Sequence, residues 1–301
     1  MSVTPVKGDR WVKIISTQGN IRGVAVQATD LVRSTAELHG LKGMGARGLG
    51  EAMVGGLLIA SYCKMEERIN LNIRGSGFYR QALVDAYPNG TVRGYLTERD
   101  AVPYDDTHYS AEKGPWGEGL LSILRTKTTE TKQPYIGTVP LITGHIAKDL
   151  TFYWVQSEQI PSSVGIVVDL KGDRVASAGG FLVQVLPGAS PAEVNSIEQR
   201  IQEFETLAQD IGENGDPLLL LSRIFQSSAF IVVEERALEF KCNCSWERVE
   251  RALTLVGVKE LKAMLKEDNR AEVKCDFCTK AYEVDASALE RLIATAEGGE
   301  N

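Results

Sequence analysis

Apolar and polar positions along the first half of the chain alternate in short runs, which predicts strands and hairpins with helices between them. Trp11–Ile15 and Ile21–Val26 flank Thr17-Gln18-Gly19-Asn20, a hairpin connection with glycine at the turn. Leu83–Tyr87 and Thr91–Leu96 flank Pro88-Asn89-Gly90, a clearer turn signal still. Both second strands carry an Arg-Gly pair, Arg22-Gly23 and Arg93-Gly94, too few copies for a repeat architecture. Between the hairpins, Leu49–Met65 is small or aliphatic nearly all round and predicts a buried helix. Ile69–Ile73 and Phe181–Leu186 read as further strands, the second ended by Pro187-Gly188.

A different period follows. A helix is expected from Ser190-Pro191, with serine as cap and proline in the first helical position. Its stripe of Val194, Ile197, Ile201, Phe204, Ala208 and Ile211 recurs at helical spacing, and Glu and Gln fill the other faces. Such a helix must lay its stripe on something: its own domain, or a site from which it can detach. Gly212–Pro217 interrupts the pattern as a loop, Leu218–Phe225 and Phe230–Val233 are strongly apolar, and Glu234-Glu235-Arg236 turns the chain polar. The expected class is α+β. A mixed sheet-and-helix core over 1–188 is followed by a helical linker over 189–238 and a small C-terminal module over 239–301.

Composition narrows the function. The chain has 301 residues, 43% apolar, with a net charge of −7, which disfavours a general affinity for nucleic acid or anionic lipid. Residues 1–11 lack the apolar stretch of a signal peptide. The most apolar uncharged run, Ala52–Cys63, is far short of the ~20 residues of a membrane-spanning helix. A soluble, non-exported protein is expected. Arg74-Gly75-Ser76-Gly77 imitates a phosphate loop, but Arg80 stands where the dinucleotide fingerprint needs its third glycine, so a turn is expected. His39, His108 and His145 fit no helical metal or nucleophile motif.

Five cysteines are few for a disulfide scaffold, and their placement is uneven. Cys63 stands alone and reads as a small buried apolar side chain. The other four form Cys242-Asn243-Cys244 and Cys275-Asp276-Phe277-Cys278, separated by the foldable insert 245–274. Two close pairs around such an insert are the pattern of a structural zinc site, here Cys₄ with one ion. Ser245 is expected to cap a helix carrying Trp246, Val249, Ala252, Leu253 and Val256 on one face. Gly257 breaks it, Lys259–Glu267 forms a second helix, and Glu272-Val273 and Tyr282-Glu283-Val284 form strands around the second pair. A module this small needs its metal, which contributes on the order of 10–16 kcal/mol in comparable zinc sites. Closed Cys₄ coordination leaves no open position for substrate, so Lewis-acid catalysis is not expected. Thiolates are what peroxide and hypochlorite attack. Each pair is close enough for a disulfide, the C-x-C ring being the more strained, and oxidation should expel the ion. Four cysteines allow three pairings, and spacing does not choose among them.

The segment from Cys242 to Val284 resembles the zinc module of the redox-regulated heat-shock chaperone 33 family, the 33 kDa chaperonins. The resemblance extends upstream through Gly75–Gly77, Asn89–Tyr95, Ser157–Pro161 and Gly179–Pro187, covering nearly the whole chain in the family's order. It implies an ATP-independent holdase, not an enzyme, held inactive in the cytoplasm while reduced and zinc-bound. Oxidants with heat would form Cys242–Cys244 and Cys275–Cys278, the latter first, releasing zinc and unfolding the module with the metastable linker. The redox-switch and metal positions carried over are Cys242, Cys244, Cys275 and Cys278; Cys63 matches none. The partners implied are unfolded, aggregation-prone clients and, in the active state, a second copy through the N-terminal core. The alternative, a zinc ribbon binding nucleic acid or a protein partner, would want clustered Lys and Arg. Residues 234–301 hold 11 basic and 15 acidic residues. A zinc hydrolase or deaminase would need a His or Glu base beside the ligands, and no histidine lies in the stretch.

Overall fold

The computed structural model describes residues 8–98, 113–127, 134–203, 207–212, 215–226 and 228–298. His108, Phe204 and the first seven residues lie outside them, and of Ala208 only the backbone is described. The chain forms two compact units, Met1–Lys241 and Cys242–Asn301.

In the first unit, β1 (Arg10–Ser16) and β2 (Ile21–Gln27) make the expected hairpin, with Gly19 at φ +75°. Helices α1 (Thr29–Leu38) and α2 (Gly43–Ala60) follow. Strands β3 (Glu67–Gly75), β4 (Tyr79–Ala86) and β5 (Thr91–Glu98) form a meander, its second turn closed at Gly90 with φ +87°. Next come β6 (Gly119–Lys127), β7 (Tyr135–Pro140), α3 (Ile146–Gln156), β8 (Ser162–Lys171) and β9 (Arg174–Val185). The unit ends with α4 (Pro191–Glu203), α5 (Leu207–Ile211), α6 (Pro217–Ile224), β10 (Phe230–Ala237) and the short β11 (Glu239–Phe240). One sheet has the order β10-β1-β2-β9-β8 and the other β11-β5-β4-β3-β6-β7. The α+β expectation holds.

Helix α2 packs against both sheets and is buried nearly all round. Its position corrects the expected span Leu49–Met65: it starts six residues earlier and stops at Ala60. Glycine weakens a helix by ~1 kcal/mol relative to alanine, which argues against a start at Gly43. Packing overrides that preference. A Cβ on Gly48 would sit 2.5 Å from the Tyr79 ring, on Gly50 2.6 Å from Val32 and on Gly56 2.8 Å from Val84. These glycines let neighbouring elements approach closely. The Gly75–Gly77 segment is a turn, as expected: added Cβ atoms there would strike the Trp116 and Pro115 carbonyls.

Strand β9 extends the expected Phe181–Leu186 back to Arg174, with Gly180 opposite Val26 and Gly179 opposite Gln27. Beyond it, Ser190 caps α4 as expected, its Oγ accepting from the Glu193 N–H at 3.2 Å. Among the described residues the apolar stripe is carried on α4 and α5. Asp216 caps α6 by accepting from the Leu218 N–H at 2.9 Å. Ile197, Ile211, Leu221, Ile224 and Phe225 bury one face of the first sheet together with Ile14, Ile21 and Phe181. A Cβ on Gly23 would lie 3.0 Å from the Phe225 ring, which accounts for the first Arg-Gly pair. Strand β10 pairs antiparallel with β1. Residues 189–238 therefore give the first unit three helices and an edge strand. Among the described residues no helix is long and apolar enough to cross a membrane.

The second unit contains α7 (Trp246–Val256), α8 (Val258–Asp268), β12 (Arg270–Lys274), β13 (Ala281–Asp285) and α9 (Ala286–Gly298). Gly257, at φ +98°, separates the two expected helices. Val249 and Leu253 face the unit's core, whereas Ala252 and Val256 are exposed, so the apolar face of α7 is narrower than its sequence suggests. Helix α9, which the sequence reading misses, supplies Ala288, Leu289, Leu292 and Ile293 to that core.

Candidate metal centre

Strands β12 and β13 pair antiparallel from Arg270 opposite Asp285 to Lys274 opposite Ala281, and their connection is a cysteine knuckle. The Cys275 N–H donates to the Lys280 carbonyl at 2.9 Å, and the Thr279 N–H donates to the Cys275 carbonyl at 2.8 Å. Thr279 adopts the left-handed region at φ +59°, which closes the turn without glycine. Cys275 and Cys278 are thereby set on one hairpin end. Cys242 and Cys244 come from the segment entering α7. Ser245 occupies the N-cap position there, but its side chain makes no capping bond to the helix backbone; it bonds the Glu247 carboxylate instead.

The two pairs meet. Cys242 Sγ lies 3.8 Å from Cys275 Sγ, and Cys244 Sγ lies 3.4 Å from Cys278 Sγ. All four sulfurs lie within 4.8 Å of one another, each residue is half-buried, and no disulfide joins them. A tetrahedral zinc site with Zn–S distances of about 2.3 Å requires sulfurs about 3.8 Å apart, so the donor set fits a metal of that size. Among the described residues this is the one group of three or more His, Cys, Asp or Glu side chains able to hold a metal ion. The arrangement does not select a disulfide pairing, because all four sulfurs lie within 4.8 Å of one another.

The electrostatics point the same way. Burial, helped by the adjoining sulfurs, pushes the Cys278 thiol up to about 12. Burial raises Cys275 too, against the backbone N–H groups of Cys278 and Phe277. A thiol raised in this way keeps its proton in the absence of a cation, and a dication reverses this by making thiolate the stable form. The Tyr282 hydroxyl donates to Cys244 Sγ at 3.1 Å, and this bond, with burial, pushes the phenol up to about 12. Sequence reasoning places Tyr282 only on a strand; its hydroxyl beside the cluster follows from the β12–β13 register, which sets it opposite Val273.

The remaining candidates are chemically quiet. Cys63 is half-buried, its thiol 3.5 Å from the Ile59 carbonyl, and burial pushes it up to about 12, the opposite of a reactive thiolate. His39 ends α1 and His145 precedes α3, on separate elements.

Comparisons with known proteins cover both units. The model of the family described as Hsp33 protein matches residues 9–285. The 33 kDa chaperonin of Geobacter sulfurreducens is 37% identical over 294 residues, 97% of each chain. That of Shouchella clausii is 33% identical, covering 96% of this chain and 98% of its own. The crystal structure of the 33 kDa chaperonin from Thermotoga maritima superposes with a TM-score of 0.86 at 30% identity, over 96% of this chain and 99% of that one. With four clustered cysteines in a family matched over nearly its whole length, this chain belongs to the Hsp33 family of 33 kDa chaperonins and has a chaperone's role.

Proposed function

We propose that this chaperone is an ATP-independent holdase switched by oxidation at a zinc site formed by Cys242, Cys244, Cys275 and Cys278. The observation that carries the reading is the convergence of four sulfurs, within 4.8 Å, in a unit with a small apolar core. Zinc supplies the positive charge that holds these sulfurs as thiolates. Peroxide converts a thiolate to a sulfenic acid, and the neighbouring thiolate displaces hydroxide from it to form a disulfide. The pairs are Cys242–Cys244 and Cys275–Cys278. Sulfurs so joined lose the charge that retains a dication, and the C-terminal module loses its main support.

Client binding uses the apolar surface beneath residues 189–238. Ile197, Leu221, Ile224 and Phe225 are buried against the first sheet, and loosening this metastable segment bares both sides of the contact. The protein acts in the cytoplasm as a dimer formed through residues 1–188, without catalytic turnover. The acidic balance of residues 234–301 disfavours nucleic acid as a partner.

The test is aggregation of an unfolding client followed by light scattering, with this protein reduced or pre-treated with peroxide under mild heat. Suppression after oxidation alone, accompanied by zinc release, is expected. Equal suppression in both states overturns the switch.

A further inference from the structure

We propose that Tyr282 is a positioning residue that slows oxidation of the Cys244 sulfur; this rests on the zinc-thiolate reading above. The contact is specific. Tyr282 Oη donates to Cys244 Sγ at 3.1 Å, while Cys275 and Cys278 face backbone N–H groups and the adjoining sulfurs. Tyr282 is held on three sides. Its backbone pairs with Val273 of β12, its ring lies 6.3 Å from the Trp246 ring, and Lys280 Nζ sits 4.7 Å above it. A cation over the aromatic face is attracted to the ring and helps hold it in place.

A hydrogen bond to a thiolate stabilises the negative charge that must be given up during attack on a peroxide. In that step the Cys244 sulfur uses a lone pair to form an S–O bond, the O–O bond of hydrogen peroxide breaks, and hydroxide departs. The Cys242 thiolate then attacks the sulfenic sulfur, an S–S bond forms, and a second hydroxide leaves. Both sulfurs are oxidised and one peroxide is reduced. As charge moves from sulfur to the departing oxygen, the Tyr282 hydrogen bond weakens, so it stabilises the starting state more than the transition state. Attack that begins at Cys244 is thereby slowed.

The experiment uses Tyr282→Phe, which keeps the ring and deletes the hydroxyl. Zinc-loaded, reduced full-length protein receives limiting hydrogen peroxide, samples are quenched with an alkylating reagent, and mass spectrometry reads the free fraction of each cysteine. Cys244 is expected to oxidise about fivefold faster in the variant, with the initial rates at Cys275 and Cys278 unchanged. An unchanged Cys244 rate overturns the proposal. Equal acceleration at all four sulfurs, or zinc loss from the reduced variant, marks a purely structural role and overturns it as well. A wild type that carries no zinc overturns the functional reading and this one together. A wild type that oxidises normally beside an unchanged variant overturns this one alone.

Discussion

The two units hold themselves together by different means. Among the described residues of the first, the larger of two apolar clusters buries thirty-nine around α2 and a second buries twelve under α4 and α6. In the second, nine buried residues serve five elements, and Leu255 and Val256 of α7 are left exposed. At about 25 cal/mol per Å² of buried apolar surface, the first unit has ample driving force and the second has little to set against its chain entropy. Under the proposed reading, four sulfurs and an ion make up for that small core, and chemistry at sulfur can dismantle the second unit while leaving the first unit's buried core untouched. That contrast is what a chemical switch requires.

Metal removal should separate the units most sharply. A strong chelator, or Cys275→Ser, should melt residues 242–298 and loosen 189–238 while the core around α2 stays folded, removing a contribution on the order of 10–16 kcal/mol from the second unit. Hydrogen exchange resolved by segment checks this. Next in size, Leu57→Ala opens a cavity beside α2 and should cost about 3–5 kcal/mol in the first unit, with zinc affinity unchanged. Chemical denaturation together with a metal titration checks both halves. Gly48→Ala drives a methyl to within 2.5 Å of the Tyr79 ring and should cost about 1–3 kcal/mol, measured the same way. The smallest effect is tied to pH. Burial raises the Glu51 carboxyl from 4.5 to about 7, against the pull of Arg47. Between those values the folded chain holds a proton the unfolded chain has released, so stability falls as pH rises through the window. Glu51→Gln should therefore stabilise the first unit by about 1–2 kcal/mol at pH 8 and change little at pH 4, in thermal melts at both values.

Legibility in the sequence follows the range of the interactions. The hairpins at Gly19 and Gly90 are readable because a positive φ at a turn is a local demand that glycine answers. The cysteine pairs are readable because metal ligation imposes short spacings. The start of α2 at Gly43 is not readable: its glycines look like helix breakers until Tyr79, Val32 and Val84, distant in sequence, are seen pressing on them. The same holds for the early half of β9, whose Ala178, Gly179 and Gly180 are weak strand formers held between β2 and β8. At the metal centre the four sulfurs are legible and Tyr282 Oη is not, because its place depends on a strand register rather than on a spacing. The exposure of Ala252 and Val256 likewise depends on what α7 packs against.

The most direct test follows zinc content and segment-resolved hydrogen exchange together in one sample of reduced protein titrated with hydrogen peroxide. The account requires one bound zinc per chain at the start, and its loss in step with the loss of protection over 242–298. Protection over 242–298 that persists after the ion has gone, or reduced protein that binds none, would contradict it.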